Sequence, residues 1–252
     1  NIEEIKCINN TNKKILDIEE INTNINSHEN IEIYKEILNN FLNWVKNYDK
    51  NNIENIYKDF SKNFHNIYKS CKYFNQKKNT NIIIKKNVII NVFRSIYGYN
   101  NTEPNIKLLG NLLQKKPSRN ISGITCVTVL TSPHPNGQSF SCKHNCYFCP
   151  NEPAHEGNNF QAQPRSYIYK EPAVLRANQN GFDAYRQMIN RMDTLFMNGH
   201  TIDKLDIVIE GGTYTEYPVD YLEEYHRDLF YAANTYFDST KRDRLSIEEE
   251  IE

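Results

Sequence analysis

Three cysteines within eight residues constrain the fold and chemistry of this chain more than any other feature. Cys142, Cys146 and Cys149 lie in the segment SCKHNCYFCP with the spacing CxxxCxxC. In a reducing compartment, thiols this close together indicate metal or redox chemistry rather than disulfides. When three cysteines hold a cuboidal four-iron cluster, one iron has no protein ligand, and a small chelating molecule can bind there. The segment therefore predicts an iron–sulfur centre with one open iron.

Two other interpretations of these thiols stay open at this stage. A zinc ion could be held by the three cysteines and completed by His134, His144 or His155, although zinc sites more often pair two separated knuckles and the sequence has no second one. The thiols could also be free or form one disulfide, which would leave clustered thiols liable to oxidation. The isolated Cys7, Cys71 and Cys126 are predicted to be small buried hydrophobic residues.

The elements around the cysteines follow a βαβα order. The β-branched run 124–130 predicts a buried strand directly before the cysteine loop. A helix is predicted over 182–198, a second strand over 205–209, and a further helix from about Pro218. This order is typical of a parallel sheet with helical crossovers, in which the loops after the strands build the active site.

The segment after the second strand has residues suited to a ligand. Glu210, Gly211, Gly212 and Thr213 follow that strand at the end predicted to face the cysteine loop. Two glycines let the backbone approach a ligand closely, and a carboxylate such as Glu210 can pair with an ammonium group. A Gly-Gly pair after a strand is most often only a turn. It indicates a ligand site here only because the cysteine loop follows the preceding strand.

The chain before residue 119 is rich in Asn, Ile and Lys, and its apolar residues recur at helical spacing. Two amphipathic helices are predicted from one face with Ile33, Ile37, Leu38, Phe41, Leu42 and Val45 and another with Ile53, Ile56, Tyr57, Phe60, Phe64, Ile67 and Tyr68. Two further helices are predicted around Ile84, Val88 and Val92 and from Asn105. The predicted division is a helical region over 1–118 and an α/β region over 119–252.

Basic residues dominate the end of the helical region. Between residues 72 and 119 the single acid is Glu103, and aromatic residues are interleaved with Lys72, Lys77, Lys78, Lys85, Lys86, Arg94, Lys107, Lys115, Lys116 and Arg119. Basic side chains neutralise phosphates while aromatic rings stack on unpaired bases, so the stretch fits single-stranded nucleic acid. The alternative is that these lysines merely solvate helix faces.

Membrane insertion is not predicted. No apolar run approaches the roughly 18 to 20 residues that a spanning helix needs. Residues 1–30 have neither the basic start nor the apolar middle of a signal peptide. A cytoplasmic protein is therefore expected.

Four segments within residues 122 to about 238 are distinctive: SGITCVTVLTSP, CYFCPNEP, PRSYIYKEPAVLRA and GHTIDKLDIVIEGGTYTEYP. Together they resemble the catalytic subunit of Elongator, a tRNA wobble-uridine modifying enzyme. Many members of that family have a different distance between the first two cysteines. The resemblance implies a radical S-adenosylmethionine enzyme with a 4Fe-4S cluster, and acetyl-CoA as co-substrate for carboxymethyluridine formation on tRNA.

The resemblance also implies roles for particular residues. Cys142, Cys146 and Cys149 would hold the cluster, and Phe148 and the segment from Glu210 through Gly211 and Gly212 to Thr213 would hold S-adenosylmethionine. Lys204 would contact the acyl-CoA, and the basic helical region would contact tRNA. Partner subunits like those of Elongator are implied as well. No catalytic residue is assigned.

The expected fold is α/β. The helical region would be followed by the first part of a partial (βα) barrel of the radical S-adenosylmethionine type. Relatives continue into further strands and an acetyltransferase domain, whereas this chain stops at Glu252, so a fragment is expected. Both strands would then present an unpaired apolar edge. The alternative function is a non-catalytic RNA-binding remnant with a structural metal site.

Overall fold

The structure is a computed structural model that describes residues 28–70, 86–98 and 101–237. It divides into two compact units. The first contains the described residues up to 118 together with 195–201, and the second contains 119–194 and the described residues from 202 onward. Cys7, Cys71, Ile84, Lys72, Lys77, Lys78 and Lys85 lie outside the described residues.

Four helices form the described part of the first unit: α1 (His28–Lys46), α2 (Ile56–Lys69), α3 (Lys86–Tyr97) and α4 (Pro104–Leu113). A short 3₁₀ helix, Lys50–Asn55, precedes α2 and contains Ile53, which is therefore exposed and not on the predicted α2 face. Helix α4 begins after Glu103, whose carboxylate accepts hydrogen bonds from the amides of Asn105 and Ile106. Pro104 occupies the first turn, where its missing N–H has no cost.

The apolar stripes of these helices meet in one core. Its fully buried side chains include Ile37, Phe41, Phe60, Ile89 and Leu109. The rings of Phe41 and Phe60 lie 5.3 Å apart in a tilted pair. Because burying each such side chain contributes about 1.5 to 3 kcal/mol, this core provides most of the free energy that keeps the helices folded.

The second unit contains β1 (Thr125–Leu130), α5 (Pro172–Gln179), α6 (Ala184–Met197), β2 (Leu205–Glu210) and α7 (Val219–Thr235). The final turn of α6 is grouped with the first unit. The predicted βαβα order is present, and α5 is an additional helix that the apolar pattern did not predict. Within the described residues the sheet has two strands, so the α/β class is established while the barrel stays a prediction.

The two strands are parallel, and their register pairs Thr125 with Leu205 and Leu130 with Glu210. Their carboxyl ends therefore lie side by side. Successive residues of β1 face opposite sides of the sheet, and Val127 and Val129 are buried. Cys126 is exposed, so the prediction that it is buried was wrong, because the sheet face that it occupies is uncovered at that end.

Side chains cover the carboxyl end of the outer edge of β1. The Gln187 side chain accepts a hydrogen bond from the Leu130 amide and donates one to the Leu130 carbonyl, both at 2.9 Å. Arg176 donates a hydrogen bond to the Thr128 carbonyl at 2.8 Å. The expectation of a bare edge was therefore wrong at the carboxyl end of this strand, because polar side chains from α5 and α6 take the place of a neighbouring strand there.

Among the helices of the described residues, none has the length and apolarity needed to cross a lipid bilayer.

Candidate functional site

The cysteine loop and the segment after β2 come together at the carboxyl edge of the sheet. The Sγ atom of Cys142 lies 3.2 Å from Oγ1 of Thr213. Cys142 follows β1 and Thr213 follows β2, and the parallel register places these two loops next to each other. The structure thus joins the first predicted cluster ligand to the last residue of the predicted cofactor segment.

Both glycines of that segment permit close packing. A Cβ atom added to Gly212 would lie 2.2 Å from the carbonyl oxygen of Ser141, and one added to Gly211 would lie 1.8 Å from Oγ1 of Thr131. Only glycine fits at either position without displacing its neighbour. The close approach seen here is to the protein's own residues, Ser141 next to Cys142 and Thr131 directly after β1, and contact of the glycines with a cofactor stays a prediction.

Cys142 is buried in a polar environment. Burial raises the pKa of its thiol, but this is outweighed by hydrogen bonds from the Thr213 hydroxyl and from the backbone amides of His144 and Thr213, and by the positive charge of Arg165. The net result is a pKa below the ordinary value. Metal ligation requires the thiolate form, so these surroundings suit a ligand.

Cys146 and Cys149 lie farther out on the same loop. Cys146 is exposed and Cys149 is half-buried, and the Cys149 amide donates to the Cys146 carbonyl at 3.1 Å in a tight turn. Phe148 is 83% exposed. All four cysteines in the described residues are free thiols, and that part of the chain has no ready-made group of three metal-ligating side chains.

The donor set nevertheless suits an iron–sulfur cluster. Three thiols follow one another on a loop without helix or strand structure, and the innermost of them, Cys142, is fixed against Thr213. Three thiolates are the ligand number that leaves one iron of a cuboidal cluster open. The residues therefore fit the predicted group.

The histidines considered as zinc ligands have other contacts. Nε2 of His155 lies 3.1 Å from Glu152, and its Nδ1 accepts the Gly157 amide at 3.0 Å. Nδ1 of His134 lies 2.7 Å from the Ser139 carbonyl oxygen. Both ring nitrogens of His155 are thus engaged within its own loop, and this weakens the zinc interpretation.

An ionic contact adds to the junction of the two loops. Glu216 forms a salt bridge with Lys143, and its other carboxylate oxygen lies 3.8 Å from Nε2 of His144. The hydrogen bond from Lys143 is the largest cause of the lowered pKa of Glu216. Sequence reasoning missed Glu216, because a glutamate shortly after a strand has no distinctive pattern until its partner is known.

Arg165 is a second residue that sequence reasoning missed. Its amide donates to the Ser141 hydroxyl at 2.9 Å, and its guanidinium donates to Asn145 at 3.1 Å and lies 5.3 Å from the centre of the Phe140 ring. These contacts attach the segment before α5 to both ends of the cysteine loop. The only signal for this residue in the sequence is its place in the PRSY segment that carries part of the family resemblance.

The structure places Glu210 and Lys204 at opposite ends of β2. Burial and nearby Glu171 raise the pKa of Glu210 above its ordinary value, against the opposing effect of Arg176. Lys204 is exposed directly before the strand, and its carbonyl accepts the Thr125 amide. Six strand residues span about 20 Å, so Lys204 is well separated from the cysteine loop.

The basic residues of the helical region differ in accessibility. Lys107, Lys116 and Arg119 are exposed, whereas Arg94 is only 7% exposed. The Arg94 guanidinium donates to the carbonyls of Phe196 and His200 and stacks 4.4 Å from the Phe196 ring. The prediction that Arg94 serves a nucleic-acid surface was wrong, because it is used to bind carbonyls at the end of α6.

The fold and site define a class of protein: an α/β domain with three free thiols and a Gly-Gly loop at the carboxyl edge of a parallel sheet. No family model matches the chain. Curated relatives do match. The chain is 34% identical over 152 residues to tRNA uridine(34) acetyltransferase of Methanocaldococcus jannaschii, covering 60% of this chain and 26% of that protein.

Two more relatives extend this similarity. The tRNA uridine(34) acetyltransferase of Dehalococcoides mccartyi is 37% identical over 48% of this chain and 23% of its own length. Elongator complex protein 3 of Bos taurus is 30% identical over 56% of this chain and 26% of its own length. These relatives confirm the resemblance to the Elongator catalytic subunit. The matched region spans about a quarter of each of them.

Proposed function

We propose that this chain provides cluster and cofactor ligands for a radical S-adenosylmethionine enzyme that modifies uridine 34 of tRNA. The observation that carries the proposal is the junction of the two loops, where Cys142 contacts Thr213 and Gly212 packs against Ser141. The names of the relatives supply the substrate, because two of them are tRNA uridine(34) acetyltransferases. Partner subunits are proposed from the similarity to Elongator complex protein 3.

Each part of the site has a proposed task. The thiols of Cys142, Cys146 and Cys149 would hold the 4Fe-4S cluster, and Phe148 would help to bind S-adenosylmethionine. When bound, the cluster and S-adenosylmethionine would supply radical chemistry for removing a hydrogen atom from the acetyl group of acetyl-CoA. The loop from Glu210 to Thr213 binds the amino-acid end of the cofactor, with the Glu210 carboxylate available to an ammonium group. The product proposed is carboxymethyluridine.

Lys204 is proposed to contact acetyl-CoA. Its ammonium is exposed at the amino end of β2, where the phosphates of a CoA molecule could reach it. Because about 20 Å of strand separates it from the cysteine loop, its role would be to bind the extended cofactor rather than to act at the acetyl group.

Anaerobic reconstitution with iron and sulfide tests the proposal. We expect about four irons per chain, a charge-transfer absorbance, and a reduced-cluster electron paramagnetic resonance signal that changes when S-adenosylmethionine is added. Cys142→Ser, Cys146→Ser and Cys149→Ser should each lose most of the iron. Cys126→Ser is the matched control, since it removes an exposed thiol outside the loop, and it should keep the full iron content.

A different metal content would contradict the proposal. Stoichiometric zinc without iron under the same conditions would favour a structural site in an RNA-binding protein. Equal loss of iron in Cys126→Ser and Cys142→Ser would show that the iron is bound nonspecifically.

A further inference from the structure

We propose that Tyr217 is a positioning residue that fixes the Gly211–Gly212 peptide and thereby sets which polar group this loop offers to a ligand. The proposal rests on the proposed function, since the ligand is the amino-acid end of the cofactor. Tyr217 lies two residues before α7, directly after the 3₁₀ turn Tyr214–Glu216, and it is 5% exposed.

A chain of hydrogen bonds runs through the Tyr217 hydroxyl. The Gly212 amide donates to it at 2.6 Å, and the hydroxyl lies 2.6 Å from Oγ1 of Thr131. Thr131 in turn donates to the Glu210 carbonyl at 3.3 Å. Because the Thr131 hydroxyl donates to Glu210, Tyr217 donates to Thr131, and all three bonds run in the same direction. Such aligned bonds strengthen one another.

Burial makes this hydroxyl difficult to replace. Thr131 is 0% exposed and Tyr217 nearly so, so water cannot readily take over their hydrogen bonds. The Ser141 carbonyl oxygen also packs closely against this loop, 2.2 Å from the position that a Gly212 Cβ would take. The peptide is thus held between a hydroxyl and a backbone carbonyl.

The hydrogen bond from Gly212 to Tyr217 determines which way the Gly211 carbonyl points. The bond between Gly211 and Gly212 is trans, so the Gly211 carbonyl points away from the Gly212 N–H. When Tyr217 binds that N–H, it orients the carbonyl in the opposite direction, as an acceptor. The Gly211 amide is also engaged, by the Tyr167 hydroxyl at 3.3 Å. With both glycine amides engaged, the group that this peptide directs away from Tyr217 is the Gly211 carbonyl oxygen, which suits an ammonium group rather than an anion.

Two neighbouring tyrosines supply matched controls. Tyr221 and Tyr225 follow Tyr217 at four-residue intervals, and adjacent ring centres lie 5.6 and 5.7 Å apart. The Tyr221 hydroxyl accepts the Ser132 amide at 2.8 Å, and that of Tyr225 donates to the Leu130 carbonyl at 2.8 Å. These two hydroxyls hold the end of β1, and neither contacts the glycine loop.

The first test uses the protein without cofactor. The chain contains one Gly-Gly pair, so labelling glycine with ¹³C at the carbonyl and ¹⁵N at the amide leaves a single carbonyl-to-nitrogen correlation, that of Gly212. Tyr217→Phe should accelerate hydrogen exchange of this amide about tenfold or more. Thr131→Val should accelerate it less, because the Tyr217 hydroxyl still accepts the Gly212 amide but loses its own acceptor, and Tyr221→Phe should have no effect.

The second test measures S-adenosylmethionine binding to the reconstituted protein by equilibrium dialysis. Tyr217→Phe should weaken binding about tenfold at unchanged iron content, and Thr131→Val should weaken it by a smaller factor. The double variant should be little worse than Tyr217→Phe alone, because both substitutions break one chain of hydrogen bonds. Tyr221→Phe should bind like the wild type.

The outcomes separate the inference from the proposed function. Unchanged Gly212 exchange in Tyr217→Phe, or equal binding by Tyr217→Phe and wild type, would overturn the inference while the proposed function stands. If the wild type binds no S-adenosylmethionine, the proposed function fails, and faster Gly212 exchange would still support the positioning of the peptide. If Tyr217→Phe does not fold, Thr131→Val decides by the same two measurements.

Discussion

Lys86 shows how one side chain of the basic stretch is used inside the protein. Its ammonium donates to the Leu112 carbonyl at 3.1 Å, in the last turn of α4, and lies 5.6 Å from the centre of the Phe64 ring. A cation at a helix carboxyl end interacts favourably with the exposed carbonyls. The pKa of Lys86 is lowered from 10.5 to about 8. Partial burial is the main cause, and the nearby positive charge of Lys115 is the second.

This lowered pKa predicts a pH dependence of stability. The unfolded chain holds the Lys86 proton up to about pH 10.5, whereas the folded chain releases it near pH 8. Stability should therefore rise with pH across this window, by on the order of 1 kcal/mol because water screens the partly exposed ammonium. The measurement is urea unfolding from pH 7 to 10.5, comparing the wild type with Lys86→Met.

Lys69→Met is the control for that experiment, because it removes an exposed lysine from the last turn of α2. The difference between Lys86→Met and wild type should change across the window, while the difference between Lys69→Met and wild type should stay constant. A constant difference for both variants would show that Lys86 titrates normally in the folded protein.

At the scale of elements, β1 is stabilised by side chains on the edge opposite β2. The amides of Thr125 and Thr131 donate to the carbonyls of Lys204 and Glu210, so alternate residues of β1 face β2. The amide and carbonyl of Leu130 face the other way and meet the Gln187 side chain. An amide side chain has one acceptor and two donors, so it can satisfy both backbone groups of one residue.

Gln187→Ala is expected to lower the free energy of unfolding by about 2 kcal/mol, because the buried Leu130 amide loses its acceptor. The Leu130 carbonyl keeps the Tyr225 hydroxyl, so the amide is the main loss. Chemical denaturation measures the effect, and Gln179→Ala, at the exposed end of α5, should change stability by less than about 0.5 kcal/mol. Similar small effects for both variants would refute this account of the edge.

The elements that sequence reasoning predicted are those whose burial is set by local periodicity. The stripe containing Ile37, Leu38 and Phe41 predicted α1, and the 124–130 run predicted β1. Helix α5 was missed because its eight residues, PAVLRANQ, are too few to show a period. Burial of Arg94 was missed for another reason: its acceptors lie about a hundred residues away in the sequence.

The sequence predicted the two loops of the candidate site but not the residues that join them. Cysteine spacing and the two glycines mark the loops, and parallel strands bring those loops together. The residues that join them, such as Tyr217 and Glu216, have ordinary types at ordinary positions. Their role depends on which atoms the fold brings within hydrogen-bond distance, and no local pattern contains that information.

On the scale of the whole molecule, charge is nearly balanced but unevenly distributed. The net charge is −1, yet one acid, Glu103, lies between residues 72 and 119. Its carboxylate accepts hydrogen bonds from the first amides of α4, and a single acid among ten basic residues leaves this stretch with a large excess of positive charge. Lys107 and Lys116 are exposed there and available to phosphates.

These exposed lysines predict salt-sensitive tRNA binding. Lys107→Glu combined with Lys116→Glu should weaken binding and flatten the plot of log affinity against log salt by roughly 0.7 to 0.9 for each phosphate that the variant no longer neutralises. Fluorescence anisotropy with labelled tRNA from 50 to about 200 mM salt would measure both effects.

The control is Lys58→Glu with Lys62→Glu, which makes the same charge change at exposed positions of α2. It should lose far less affinity, because nonspecific repulsion alone is screened over about 10 Å at these salt concentrations. Equal losses in the two double variants would mean that net charge, and not the basic stretch, determines binding. An unchanged slope in both would show that these lysines only solvate the helices.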